Sequence, residues 1–505
     1  MAGFGYLILI PLGGIGGENM IFRWLALFFS IFLGCTVCAG RPVEFSVVAY
    51  NVENLFDVDG VAIFDDYRQD EADDPFTYSR RKLLTKLENA ASVLAALDPY
   101  GPDVILLQEL EGDFTPGSAV TDFDAFLKAH SAQTIEEMLV REWKPEYVGI
   151  PAVAWLLKTL DDLGMSDYHV VVAPTKPFDS GIAHVNAIFT RFPVQQVHFH
   201  ELSQARDIIE AELDIGGHSL WVYNNHWKSG ASNLKREPIR VRNAKVLKSL
   251  VDDRLEKDPQ ADILIGGDLN SHYNHSILYP ELKTGINDVL GSQFREGEGH
   301  YNLWYEVPPP QRYSEIWRGR RGTLMHLIVA PGLYDSNGIS YLDGSFRVGQ
   351  IIGVNADAMG RPLEWNFAGR KGGGASDHFP LIARFRIGPF EAEAPLHQSQ
   401  DALDFEMRHD ADPTIFPERL PDGSFFGGDL EQDPGDLVGR LFAVEAKVVG
   451  KRPLRLSVGG RVWAAYAPAP HVFEALEAGV ETELIVSYGY WKGKPQLVVA
   501  AIRQP

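Results

Sequence analysis

The stretch Ile263-Leu264-Ile265-Gly266-Gly267-Asp268-Leu269-Asn270-Ser271 sets the terms for the rest of the chain. Its opening apolar run predicts a buried strand over 262–266. The glycine pair then breaks the strand, allowing a turn or the close approach of another backbone. Asp268 and Asn270 follow two residues apart on one face, where together they can orient a water against a phosphorus atom. Helical spacing precedes this strand at 237–256, and strand-like runs precede that helix at 207–214 and 219–224. Further upstream, 43–50 alternates as a strand. Leu83, Leu84, Leu87, Ala90, Ala91, Leu94 and Leu97 mark an amphipathic helix over 79–97, and Asp103 to Leu107 predicts a short buried strand. Helix-like sequence fills much of 121–163, and further strands are expected at 168–173, 182–190, 324–329 and 380–386. The alternation of strands and helices indicates an α/β layered domain over 41–388.

Four other places repeat the pattern of a strand ending in polar side chains. In Ala49-Tyr50-Asn51-Val52-Glu53, Asn51 and Glu53 share a face, and an amide oxygen beside a carboxylate suits Mg²⁺ or Mn²⁺. Taken alone, that pair reads more simply as a polar strand end. In Leu106-Leu107-Gln108-Glu109, a carboxylate directly after an apolar run is costly to bury unless it is paired or binds a metal. The run Asn224-Asn225-His226-Trp227-Lys228 brings amides, an imidazole able to donate to a phosphoryl oxygen or a leaving group, and a cation. Finally, Gly372-Gly373-Gly374-Ala375-Ser376-Asp377-His378 reads as a flexible loop ending in an acid beside an imidazole base, a pairing suited to metal-assisted hydrolysis.

Asn-x-Glu, Gln-Glu, Asn-His, Gly-Asp-x-Asn and Ser-Asp-His, in that order, resemble the endonuclease/exonuclease/phosphatase superfamily over about residues 43–387. That superfamily includes DNase-I-like nucleases, exonuclease III-like repair enzymes, inositol polyphosphate phosphatases and neutral sphingomyelinases. The resemblance implies two packed β-sheets flanked by helices, a DNase-I-like sandwich. It implies Glu109 as principal metal ligand, with Asn51, Glu53 and Asp377 beside it. Asp268 and Asn270 would orient the attacking water and the phosphate, His378 would act as base or phosphate contact, and His226 would stabilise phosphoryl oxygens or assist the leaving group. The implied cofactor is Mg²⁺, with Mn²⁺ or Ca²⁺ as alternatives, and the reaction is in-line attack by metal-activated water. One position departs from the pattern. Met325 stands where the family has an Asp that pairs with the catalytic His, and methionine can neither fix its tautomer nor raise its basicity. His326 cannot take over by a one-residue slip, because it faces the other side of the strand.

The 505 residues exceed one ordinary domain, and 45% apolar with 23% charged residues are globular values. Residues 389–435 hold 12 Asp or Glu against 2 Arg and no Lys, and read as an acidic linker. In 436–505, alternation at 441–449, 454–458, 461–466, 482–488 and 496–501, with a helical stretch His471–Ala478 after the third run, predicts a small β-barrel, OB-like or of another type. Trp463, Tyr466, Tyr488, Tyr490 and Trp491 are suited either to its core or to stacking on nucleic-acid bases.

The formal charge of −22 argues against sequence-independent coating of duplex nucleic acid, though not against a nuclease whose metal supplies the positive charge. Arg23, the apolar run Trp24 to Leu33 and the small residues Val37 to Gly40 form a signal peptide within 1–40, with Met20 as an alternative start. Secretion or periplasmic export is expected, with membrane contact only through that segment. Both cysteines, Cys35 and Cys38, lie there, so a chain cleaved after it has no disulfide, thiolate ligand or cysteine nucleophile. No stable protein partner is expected. The leading reading is an exported endonuclease acting on nucleic acid or another phosphodiester. A phosphatase or lipid phosphodiesterase on the same scaffold, and a secreted binding protein that lost its chemistry at Met325, remain as alternatives.

Overall fold

The computed structural model describes residues 44–387 and 441–502, apart from 70–76, 99, 116, 118, 119, 294–298, 318, 336, 358, 359, 368, 469, 492 and 493. The signal segment and the acidic linker lie outside the described residues. Among those described, no helix is long and apolar enough to cross a membrane.

The chain opens with β1 (Glu44–Leu55), helix α1 (Arg80–Leu97) and β2 (Val104–Glu111). The expected leucine and alanine stripe of α1 is buried throughout. A helix of that length lets the chain return, so β1 and β2 pair in parallel, Val47 opposite Val104. Short helices α2 (Phe123–Ala129) and α3 (Ala152–Asp162) lead to β3 (His169–Val172), β4 (His184–Thr190), β5 (Val194–His200), β6 (Ile208–Ile215) and β7 (His218–His226). The device of the opening then recurs: α4 (Glu237–Lys257) carries the chain to β8 (Asp262–Asp268), which pairs in parallel with β7. Short strands β9 (Ser292–Gln293), β10 (His300–Asn302), β11 (Glu315–Trp317) and β12 (Arg320–Gly322) follow. Then come β13 (Met325–Val329), β14 (Ile339–Tyr341), β15 (Arg347–Val348) and β16 (Leu381–Ile387).

Fourteen of these strands form two seven-stranded sheets, and β11 and β12 pair with each other as a separate hairpin. One runs β14-β16-β1-β2-β4-β3, with β15 also on β16; the other runs β5-β6-β7-β8-β13-β10-β9. Apolar side chains from both sheets share one core, including Val47, Leu106, Val222, Leu264 and Leu327. The glycine pair of the opening motif is explained by this packing. A Cβ on Gly266 would lie 2.4 Å from Leu106 Cδ1 of the opposite sheet, and Gly267, at φ +115°, would place one 2.1 Å from the Asn225 carbonyl oxygen. The two parallel pairs end at the same edge of the sandwich, so the polar residues in the carboxy-terminal parts of β1, β2, β7 and β8 converge there.

The carboxy-terminal region forms a closed barrel of β17 (Leu441–Lys451), β18 (Leu454–Val458), β19 (Arg461–Tyr466), β20 (Glu481–Trp491) and β21 (Lys494–Ile502), in the order β17-β18-β19-β21-β20. A short helix, Pro470–Ala475, sits after the third strand, and only β19 and β21 pair in parallel; this is the OB arrangement. Trp463 and Tyr488 pack edge to face inside the barrel, whereas Tyr466 is 45% exposed.

Candidate active site

The strand ends that meet at this edge are not regular. Among the described residues, six non-glycine residues adopt left-handed backbone, and four of them, Glu53, Asn54, Glu109 and Asn270, lie here. Each such conformation costs about 1–2 kcal/mol, so the surrounding structure imposes them. The pairing register breaks at the same points, between Asn51 and Leu55 on β1 and between Leu107 and Leu110 on β2. The bulges turn Glu109 out of the strand pleat toward the opposite sheet.

Glu109, His226 and Asp268 each bring one donor atom within 4.8 Å of the others. His226 Nε2 lies 3.9 Å from Glu109 Oε1 and 3.6 Å from Asp268 Oδ2. Asn51 sits between the two carboxylates, its Nδ2 donating to Glu109 Oε1 and to Asp268 Oδ2 at 3.1 Å each. Burial pushes the Glu109 carboxyl up, but His184, His226 and Arg206, with the Asn51 bond, outweigh it and hold it well below the usual carboxylate range. Burial raises Asp268 to about 6, opposed mainly by His378. Burial, reinforced by Arg206, keeps His226 neutral, and its buried Nδ1 has no hydrogen-bond partner. Two crowded carboxylates and a neutral imidazole form a donor set that fits a divalent cation, whose charge would relieve their repulsion.

A second group of side chains borders the first. Glu53 Oε2 accepts the backbone N–H groups of Trp365 and Asp377 at 2.6 and 2.7 Å. Ser376 Oγ donates to the Asn51 carbonyl at 2.7 Å and accepts the His378 N–H at 3.0 Å. His378 Nδ1 meets Asp377 Oδ1 at 2.7 Å, while Nε2 faces Asp268 Oδ2 at 3.7 Å and has no hydrogen-bond partner. Burial opposes charge on His378, but Asp377, Asp268 and Glu315 overcome it and raise its pKa well above that of a free histidine. Lys86 Nζ donates to the Ala375 carbonyl, and burial lowers it to about 8.

The structure thus brings together all eight residues singled out in the sequence, in a different grouping. Glu109 leads as expected, but its nearest donors are Asp268 and His226. The Glu53 carboxylate binds backbone N–H groups, and that of Asp377 binds His378. Asn270 fixes the adjoining loop: its Oδ1 accepts from Gly230 N at 3.2 Å, and its N–H donates to Asp268 Oδ1 at 2.8 Å. Gln108 and Asn224 bond each other between the sheets at 2.7 Å, away from the donor atoms. The glycine run before Ser376 is packed rather than loose: a Cβ on Gly374 would lie 1.9 Å from the Glu364 carbonyl, and Asn89 Nδ2 holds the Gly374 carbonyl at 2.7 Å. Met325 is fully buried opposite Asp268 in the β13–β8 ladder. His326 points to the other face, with Nε2 2.8 Å from the Ser271 carbonyl and Nδ1 3.1 Å from Asn302 Nδ2.

Sequence reasoning missed two residues here. His184 bridges Asn54 Oδ1 at 2.8 Å and Arg206 Nη2 at 3.0 Å, and Arg206 carries its charge toward Glu109 and Asp268. His184 opens a buried strand directly after a turn, a weak signal; Arg206 stands in a loop with no motif around it.

Residues 178–386 match the sequence profile described as the Endonuclease/Exonuclease/phosphatase family. No curated protein matches the chain. Among solved structures, it is similar to truncated TDP2 from Caenorhabditis elegans, at 16% identity over 68% of this chain and 97% of that one, with a TM-score of 0.36. It is also similar to an endonuclease/exonuclease/phosphatase from Bacteroides vulgatus (12%, 68% and 99%, TM-score 0.37) and to the human Nocturnin catalytic domain with bound sulfate (13%, 68% and 94%, TM-score 0.33).

Proposed function

We propose that this chain, a member of the endonuclease/exonuclease/phosphatase superfamily, is an exported nuclease that cleaves phosphodiester bonds with the aid of a divalent cation. The superfamily's general chemistry is metal-dependent phosphoester hydrolysis. The observation that carries the reading is the convergence of Glu109, His226 and Asp268 around the Asn51 amide at the joined ends of two parallel strand pairs.

In this reading Glu109 and Asp268 hold the cation, with the His226 imidazole as a further donor or as a phosphoryl contact. The bound ion would lower the pKa of a coordinated water and offset charge on the phosphate. Asn51 fixes the spacing of the two carboxylates. Asn270 and Asp268 orient the attacking water, and Asn270 also holds the Trp227–Gly230 segment, so Lys228 stays beside the site. Arg206 and Lys228 offset the remaining phosphate charge. His378, its ring fixed by Asp377, directs Nε2 into the cluster, where in its charged form it contacts the phosphate. The proposed export rests on Arg23 and the apolar run that follows it.

Purified chain should nick plasmid DNA and hydrolyse a chromogenic phosphodiester when Mg²⁺ or Mn²⁺ is present, and lose both activities with a chelator. Turnover of phosphomonoesters or a phospholipid, with no cleavage of nucleic acid, would transfer the reading to a phosphatase or lipid phosphodiesterase. No turnover of any phosphoester would leave a binding protein.

A further inference from the structure

The β11–β12 hairpin is tied to the edge of the active site at its base and open to solvent toward its tip. The Phe379 N–H, next to His378, donates to the Ser314 carbonyl at 2.6 Å, and Glu315 forms an isolated antiparallel bridge with His378. Ile316 points to the other face of the ribbon, where it packs on Tyr313, Ala356 and Phe379. Arg321, opposite Ile316, lies over the Tyr313 ring at 4.7 Å, and its Nη1 donates to the Pro310 carbonyl at 2.6 Å. Apolar packing and backbone bonds therefore fix the base of the hairpin.

Beyond Glu315 the strand emerges into solvent. Residues two apart on a strand share a face, so Trp317 lies on the face that carries Glu315, about 7 Å further along. Residues opposed in an antiparallel bridge carry their side chains on one face, so this is also the face of His378. Trp317 is 64% exposed, and among the described tryptophan side chains it alone is exposed. Its partner across the ladder is Arg320, also exposed and on the same face. Between Ile316 and Gly322 the sequence has three arginines, Arg318, Arg320 and Arg321, and no acid, in a chain of net charge −22. An indole offers a flat π-face on which a nucleobase stacks, and a guanidinium beside it matches a phosphate. Here the two stand together on an anchored hairpin that adjoins a phosphoester site.

We propose that Trp317 and Arg320 form a nucleotide platform at the rim of the active site, the indole stacking on an unpaired base and the guanidinium meeting its phosphate, so that the preferred substrate is single-stranded nucleic acid. This deepens the nuclease reading above and rests on it. In a duplex the faces of each base are already stacked on its neighbours, so paired strands gain little from Trp317. The acidic balance of the chain, which argues against coating duplex, is no obstacle to a contact confined to one ring and its neighbouring cations. Lipid phosphodiesters and sugar phosphates carry no base for the indole, so the platform separates a nuclease from enzymes of those substrates.

Trp317→Ala removes the ring from an exposed position, so the fold should survive. With a chelator present to prevent cleavage, fluorescence anisotropy compares a labelled single-stranded oligonucleotide with an abasic deoxyribose-phosphate chain of the same length. Wild type should bind the base-bearing chain about tenfold or more tighter. Trp317→Ala should lose that preference, binding the base-bearing chain about tenfold more weakly and the abasic chain nearly as before. Trp317→Phe, which keeps a flat ring, should retain most of it. Arg320→Ala should weaken both ligands alike and lower the salt dependence of binding. In an active enzyme Trp317→Ala should raise KM for the oligonucleotide more than it lowers kcat. Equal binding of the two chains by wild type, binding of neither, or an undiminished preference in Trp317→Ala would overturn the proposal. A wild type without turnover would defeat the hydrolase reading and leave the binding comparison to decide the platform.

Discussion

Two carboxylates in the same sandwich, Glu306 buried and Glu109 half-buried, are treated in opposite ways. Glu306 lies in the sandwich among three tyrosines. Its Oε1 accepts the hydroxyls of Tyr301 and Tyr334 at 3.3 and 3.1 Å, and its Oε2 accepts the Tyr341 hydroxyl and the Gly344 N–H. The donors are neutral and fixed, and they bond the carboxylate directly. Glu109, by contrast, accepts only the Asn51 amide and the Asn54 N–H, at 3.1 and 3.3 Å, on left-handed backbone, with the charges of Arg206 and Asp268 nearby and imidazole nitrogens that lack partners. The first arrangement is complete without a ligand. The second keeps a donor set open at a cost in strain and unpaired polar atoms, the pattern of a site organised for something not part of the chain. Burial separates the two only in degree, Glu306 being buried and Glu109 half-buried; the bonding around their oxygens separates them in kind.

The widest separation between them should appear on substitution. Glu109→Ala should reduce turnover by about 10³-fold, with thermal stability kept or raised as crowding is relieved. Asp268→Asn, which keeps the shape but halves the site's carboxylate charge, should cost about 10²-fold in kcat. Loss of stability without loss of specific activity in either variant would erase the contrast. Glu306→Ala should do the reverse, leaving three hydroxyls without their acceptor and destabilising the fold by about 2–4 kcal/mol, with kcat of the folded fraction unchanged. Denaturant unfolding alongside initial rates measures both halves of each comparison.

A smaller effect follows from pH. Burial raises Glu306 to about 7 from an ordinary 4.5, so the folded state binds its proton more tightly than the unfolded chain does. Its contribution is therefore fully present below about pH 4.5 and is lost as pH rises toward 7, on the order of 3 kcal/mol in all. Glu306→Gln should flatten that part of the stability profile; an unaltered slope between pH 4.5 and 7 would show that the tyrosines already hold an ionised carboxylate. The smallest expected effect is on Met325→Asp in the otherwise native chain, a few-fold rise in kcat, because Asp377 already pairs with the His378 ring.

Much of this was legible in the sequence, for physical reasons. The leucine stripe of α1 and the apolar runs of β2 and β8 have only one way to be buried, and the site residues sit where those runs end. Elements whose form depends on distant partners were not legible. β5 is a half-exposed edge strand with a register break, and β10, β14 and the β11–β12 hairpin are three residues per strand. Their short sequences carry no period. For the same reason Glu306 gave no signal, since its tyrosines are supplied by Tyr301, Tyr334 and Tyr341 from separate segments. The residues of the site were readable one by one, but their grouping was not. That Glu53 turns to the 365–377 loop and that Asp268 joins Glu109 follow from the bulges in β1 and β2, which alternation cannot reveal.

The central claim is that the Glu109–His226–Asp268 cluster is a metal-dependent phosphodiesterase site. Its most direct test is the hydrolysis rate of a chromogenic phosphodiester and of plasmid DNA, titrated with Mn²⁺ or Mg²⁺, for wild type and Glu109→Ala side by side. Saturable metal-dependent cleavage by the wild type, abolished in Glu109→Ala although that variant is folded, is the predicted result. Cleavage that persists in a chelator, or that survives loss of Glu109 at full metal, would contradict it.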